Sequence, residues 1–257
     1  MRILVTNDDG IDAPGLKILT DAARTLSDVV WVVAPATEQS GQSHAITLID
    51  PLRYAALGDQ RFAVNGTPAD CVAMAMSVIM DGAPDLVLSG VNQGFNIAND
   101  MLYSGTVGAA MQAATSGVRA IAFSQAYQRL GQEKEADIWD ASRTHCAAAL
   151  KQLAALDMDT RTVLNVNFPP CSAADVVGMA SVKQGNRALH QLYTDDREDG
   201  RGHTYHWLRF RRDASNPEPG TDLWAMAENH IAVTPLRADL TAHDALSPLA
   251  EALNVRS

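Results

Sequence analysis

Through the first half of the chain, short β-branched apolar runs alternate with longer stretches whose apolar residues recur every three or four positions. Ile3–Thr6 is an apolar run of strand length, and Pro14–Leu26 carries Leu16, Leu19, Ala22, Ala23 and Leu26 on one helical stripe. Val29–Val33 predicts a second strand stopped by Pro35, and Phe62–Val64 a short third. Thr67 is placed to cap a helix over Pro68–Met80, with proline in the first turn, where its missing N–H has no helical partner to lose. Leu86–Ser89 and Ala120–Ser124 read as strands around a helix of small residues, Ser104–Ser116. Strands apolar on both faces and alternating with helices predict an α/β fold: a mostly parallel sheet with helices on both sides.

The second half has a different rhythm. Glu135–Leu156 predicts one long helix, and Val163–Phe168 a strand ended by Pro169-Pro170. Val176–Val182, Thr204–Phe210 and Ala232–Leu236 read as strands, Leu246–Leu253 as a terminal helix, and the run Asp195-Asp196-Arg197-Glu198-Asp199 as a solvated loop. The change divides the chain near residue 170, into a core over 1–170 and a β-rich extension over 171–257 that can complete the same domain.

Charge narrows the partners. Twenty Lys and Arg stand against thirty Asp and Glu, a formal charge of −10 over 257 residues. A nucleic-acid surface needs a basic excess to displace counterions, so none is expected. A small phosphorylated substrate remains admissible if a metal ion supplies positive charge locally. Cys71, Cys146 and Cys171 form neither a disulfide framework nor a CxxC motif, and Cys71 and Cys146 fall within predicted helices as core residues. The apolar run at the N-terminus is too short for a signal peptide, and no apolar stretch reaches the ~18 residues of a membrane span. The expectation is a cytoplasmic protein that does not contact membranes.

In an open parallel sheet, ligands bind where the strands end. Those places here are Asn7-Asp8-Asp9-Gly10, the run Ala34-Pro35 to Ser40-Gly41, Gly90-Val91-Asn92-Gln93-Gly94-Phe95-Asn96, and the turn Tyr103-Ser104-Gly105-Thr106 at a helix start. Two adjacent carboxylates at a buried strand end need a compensating positive charge. Oxygen donors from Asp, Asn and Ser suit Mg²⁺, Mn²⁺ or Ca²⁺ better than Zn²⁺. The Ser104 turn offers hydroxyls, free amides and the positive end of a helix dipole, which favour phosphate. Blander readings fit the same residues: Asp8-Asp9-Gly10 as a tight turn, Ser104 as an ordinary cap. His44 follows the Ser40 loop and is within reach of the site, and the other histidines show no metal-ligand spacing.

Taken in series, these segments resemble the SurE family, the survival-protein 5′-nucleotidases. The matching pieces include Thr6-Asn7-Asp8-Asp9-Gly10, Gln39-Ser40-Gly41, Asn65-Gly66-Thr67-Pro68-Ala69-Asp70, Ser89 to Asn96, Tyr103 to Ala110, Asn165-Val166-Asn167-Phe168-Pro169 and Thr234-Pro235-Leu236, in the family's order along nearly the whole chain. The resemblance implies a Rossmann-like core, a C-terminal extension used for self-association into a homodimer or homotetramer, and a metal-dependent phosphatase of nucleoside monophosphates. It places one divalent cation per subunit on Asp8, Asp9, Ser40 and Asn92, with substrate or phosphate contact at Asn96, Ser104, Gly105 and Thr106. Asp8, Asp9 and Asn96 are then the catalytic group. Thr37-Glu38-Gln39 stands where the family often has a basic residue, and Gln112 where it commonly has an acidic one. A hydrolase of short polyphosphate, activity on 3′-nucleotides, and a nucleotide sensor without turnover are the alternatives.

Overall fold

The computed structural model describes residues 1–127, 137–187, 192–210 and 217–253. Its frame is a nine-stranded sheet. In chain order the strands are β1 (Arg2–Thr6), β2 (Val29–Pro35), β3 (Tyr54–Gly58), β4 (Arg61–Val64), β5 (Leu86–Gln93), β6 (Arg119–Gln125), β7 (Val163–Phe168), β8 (Gly178–Ser181) and, after a two-stranded ribbon, β11 (His230–Leu236). Their spatial order is β3-β4-β2-β1-β5-β6-β7-β11-β8. The block from β4 to β7 is wholly parallel, while β3 and β11 run antiparallel to β4 and β7. The carboxyl ends of β1, β2, β5, β6 and β7 therefore share one edge. Two strands from beyond residue 170, β11 and β8, extend this sheet.

Helices cover both faces, as the doubly apolar strands require. On one face α1 (Pro14–Arg24) and α4 (Asp140–Ala154) set Leu16, Leu19, Leu150 and Leu153 against Ile3, Val5, Leu88, Ile121 and Val166. On the other, α2 (Pro68–Met74) and α3 (Gly105–Thr115) bury Cys71, Val72, Val107 and four alanines over Leu4, Val87, Ala120 and Val163. The small side chains of α3 let its backbone lie close to the sheet. Thr67 caps α2 as its sequence predicts, in a reciprocal box with Asp70. Cys71 and Cys146 are core residues.

Several elements depart from the sequence reading. The helix expected over Pro68–Met80 is α-helical only to Met74 and continues as a π-helical turn over Ala75–Ile79. The long helix begins at Asp140, and the first residues read into it, Glu135 and Ala136, lie outside the described residues. The run Asp195–Asp199 is no loop: β9 (Leu192–Glu198) pairs antiparallel with β10 (Thr204–Phe210). Acidic and basic residues meet within this ribbon, with Asp195 bonded to Arg197 and Arg209 and Asp196 to His206. β9 is exposed on both faces, so it lacks the two-residue apolar period that marks a strand. Two short helices, α5 (Asp222–Ala227) and α6 (Leu246–Ala252), complete the extension, and α5 went unread because six residues carry too little periodicity. No helix among the described residues is long and apolar enough to cross a membrane.

The packing of α1 on β5 leaves no room at Gly15, where a Cβ would stand 1.9 Å from the Val91 carbonyl oxygen and 2.9 Å from the Trp139 ring. Gly→Ala in a helix ordinarily stabilises by up to about 1 kcal/mol. Here overpacking reverses the sign: Gly15→Ala is expected to destabilise the fold by roughly 1–3 kcal/mol, read as a lower thermal midpoint by circular dichroism.

Candidate active site

The chain leaves β1 at Thr6 and turns at once, with Asn7 Nδ2 donating to the Gly10 carbonyl at 2.8 Å. The turn is stitched to its neighbours: Gln39 N–H donates to the Asp8 carbonyl at 2.7 Å and Ile11 N–H to the Pro35 carbonyl at 2.8 Å. Asp8 and Asp9 are thereby fixed between the ends of β2 and β5.

Asp8 is 4% exposed, and its carboxylate accepts the Thr106 hydroxyl at 2.5 Å. Gly105 makes this contact possible: a Cβ there would lie 2.9 Å from Asp8 Cβ and 3.1 Å from Asp8 Oδ2. The first turn of α3 thus closes onto the acid. Burial pushes the Asp8 carboxyl up to about 7, against the Thr106 hydroxyl bond that favours the anion; repulsion from Asp9 adds to the rise. Asp9 is also raised, first by burial, while the Gln93 amide, donating to its Oδ2 at 2.9 Å, opposes the shift and the Glu38 charge reinforces it. Among the described residues neither acid is paired with Lys, Arg or His.

The remaining residues of the expected site divide into two sets. Asn92, at the end of β5, is buried, and its Nδ2 donates to the Gly94 carbonyl at 2.9 Å, which leaves Oδ1 as the atom suited to a cation. Ser104 caps α3, accepting the Val107 amide at 3.1 Å, so its own hydroxyl hydrogen stays available. Asn96 is joined directly to Thr106, donating from Nδ2 to Oγ1 at 3.3 Å and to Ser124 Oγ at 2.9 Å. Ser40 stands apart. It is exposed and donates to Glu38 Oε1 at 2.8 Å, one residue beyond the Gln39 amide that tethers this loop to Asp8. His44 likewise faces outward, 3.0 Å from Gln112 Oε1.

Three participants were not foreseen as site residues: Ser124, Asn165 and Asn167, all fully buried. The signal was present, since Asn165 and Asn167 occupy alternate positions of the otherwise apolar β7 and Ser124 stands near the carboxyl end of β6. A further tie comes from the extension. Asp222, at the start of α5, accepts the Ala98 amide at 2.8 Å, and Gln184 Nε2 donates to the Ala98 carbonyl at 3.1 Å. Both act two residues beyond Asn96.

An acid pair, amide oxygens and a helix N-terminus converging on the carboxyl edge of a parallel sheet define an α/β enzyme of phosphate-ester chemistry. The family model described as "Survival protein SurE" matches residues 3–191, and the chain belongs to the SurE family. It is 49% identical to the 5′-nucleotidase SurE of Methylocella silvestris, over 98% of this chain and 100% of that protein, and 51% identical to the 5′-nucleotidase SurE of a Methylobacterium species, with the same coverage of both. The crystal structure of the SurE protein from Aquifex aeolicus superposes with a TM-score of 0.82 at 32% identity, covering 98% of this chain and 100% of that one.

The raised Asp8 carboxyl has a consequence for stability. In the unfolded chain it ionises near 3.8, in the fold near 7, so the metal-free fold loses stability as pH rises through that interval and gains nothing back above it. Asp8→Asn removes this loss. In chelator-treated protein, Asp8→Asn is expected to melt above the wild type at pH 8 and without that advantage at pH 4, a contrast scanning calorimetry at the two pH values reads directly.

Proposed function

We propose that this chain is a divalent-metal-dependent phosphomonoesterase that hydrolyses nucleoside 5′-monophosphates to nucleoside and inorganic phosphate. The observation that carries the reading is the Asp8–Asp9 pair: two acids at the sheet edge, Asp8 held against the N-terminus of α3, with no cationic side chain among the described residues to balance them. The donor set fits a hard cation. Asp8, Asp9 and Asn92 Oδ1 would hold it, joined by Ser40 once its hydroxyl turns from Glu38. Bound there, such an ion supplies Lewis acidity toward a phosphoryl oxygen and eases the ionisation of water.

The chain's own groups do the rest. Ser104 donates its free hydroxyl hydrogen to a phosphoryl oxygen, and the Gly105 amide faces the same anion with the helix dipole behind it, the Thr106 amide being engaged by Asp8 and the Val107 amide by the Ser104 cap. Thr106 keeps its hydrogen on Asp8 and holds that carboxylate in one orientation. Asn96 keeps its side-chain amide hydrogens on Ser124 and Thr106, so its part is to hold the Thr106 hydroxyl in place beneath the phosphate. Glu38 adds negative charge beside Asp9, where the family often carries a basic residue, and this strengthens the demand for a cation. The names of the relatives support the nucleotide as substrate. A nucleotide sensor has no use for both acids beside the Ser104 turn.

Chelation should abolish phosphate release from AMP, and Mn²⁺ or Mg²⁺ should restore it. Asp8→Asn and Asp9→Asn should each lower kcat by roughly a hundredfold or more. Full activity in metal-free protein, or turnover of tripolyphosphate but not of AMP, would count against the proposal.

The extension supports assembly into a dimer or tetramer. Tyr205, Trp207 and Leu208 are exposed on the ribbon, an apolar surface of the kind partner subunits cover. A chain lacking residues 190–212 is expected to sediment as a smaller species than the full chain, and an unchanged assembly would place the interface elsewhere.

A further inference from the structure

Asn165 and Asn167 touch neither of the acids, yet both are fully buried and both reach the same peptide. Asn167 Oδ1 accepts the Asn96 N–H at 2.8 Å, and Asn167 Nδ2 donates to the Asn96 carbonyl at 3.2 Å. Asn165 Nδ2 donates to that carbonyl as well, at 2.7 Å. Among the described residues no main-chain group bonds to Asn96. Two side chains of β7 thus do for this residue what a neighbouring strand does for a strand residue. The pairing register sets Asn92, Ser124 and Asn167 side by side across β5, β6 and β7, so the bonds leave the sheet where Asn96 lies over it.

The chain of contacts then runs outward. Asn96 Nδ2 is anchored on Ser124 Oγ and reaches Thr106 Oγ1, whose hydrogen is on Asp8. Polar side chains at two successive positions on one face of a buried strand are unfavourable unless their hydrogen bonds are made; Asn167 bonds through both ends of its amide, and Asn165 through Nδ2, its Oδ1 being buried without a partner among the described residues. An amide is suited to both bonds at Asn167: it offers the acceptor that the Asn96 N–H needs and the donor that its carbonyl needs, whereas a carboxylate would face that carbonyl with a second oxygen.

We infer that Asn165 and Asn167 are positioning residues that fix the Asn96 peptide and, through the Asn96 side chain, hold the Thr106 hydroxyl on Asp8. The inference rests on the phosphatase reading above and extends it to residues that meet neither substrate nor metal. Their effect on catalysis passes through Asn96, which distinguishes them from residues that only support the fold.

A double-mutant cycle separates the two roles. Phosphate release from AMP with Mn²⁺ is measured for the wild type, Asn167→Ala, Asn96→Ala and the double variant. Asn167→Ala is expected to lower kcat/KM by about thirtyfold, mainly in kcat, as a small displacement of a catalytic group does. In the Asn96→Ala background the same change should cost less than about threefold. Equal losses in both backgrounds, or no loss in the first, would overturn the inference. Asn165→Ala leaves both Asn167 bonds in place and runs through the same cycle should Asn167→Ala fail to fold.

Hydrogen exchange supplies a readout free of catalysis. The Asn96 amide should be protected in the wild type and exchange much faster in Asn167→Ala, while the Gly94 amide, bonded to the Gln125 carbonyl, stays protected. Equal protection of Asn96 in both proteins would refute the clamp. A wild type that releases no phosphate would refute the phosphatase reading instead, and the exchange measurement would still decide the clamp.

Discussion

The burial of one carboxylate against one helix end organises the rest of this molecule. Asp8 lies where water is excluded, so its charge must be met by groups the fold brings to it. The Thr106 hydroxyl meets it from α3, and the missing side chain at Gly105 permits that approach. Such proximity demands that α3 lie low on the sheet, which its alanines and glycines allow. It also demands that β1, β5 and β6 end at one level, which their parallel register provides. Sheet order and helix composition thus serve an electrostatic requirement at a single edge.

What results is a site with surplus negative charge before any ligand arrives. Asp8 and Asp9 repel each other, and Glu38 raises Asp9 further. Such a site favours cations and rejects free anions, so a phosphate ester enters productively only together with positive charge. On the proposed reading, a metal would bind ahead of the substrate or in company with it.

Much of this was legible in the sequence. Apolar runs on both faces revealed the parallel block, and the polar segments that follow those runs revealed its edge. The segments holding Asp8, Asp9, Asn92, Asn96, Ser104 and Thr106 could be named as candidates because they follow strands, and the family resemblance assigned their expected roles. Legibility failed where the physics is not local. The β9 strand has no inward face to bury, so its charges looked like a loop. Ser124, Asn165 and Asn167 lie within apolar strands, and their partner Asn96 is 69 or more positions away from the two asparagines, a pairing no local period encodes. The turned-away hydroxyl of Ser40 depends on Glu38, a neighbour whose effect only the loop's folded path reveals.

The grip of Asp222 on Ala98 bears on how the protein is made. A ribosome delivers both acids, and then the strands and helices of the core, before the extension. The loop that carries Asn96 acquires its last anchors only when Gln184 and Asp222 have emerged, late in the chain. A chain that stops before Asp222 holds both acids and lacks that anchor of the Asn96 loop, so residues far beyond the acids are needed to seat the loop beside them.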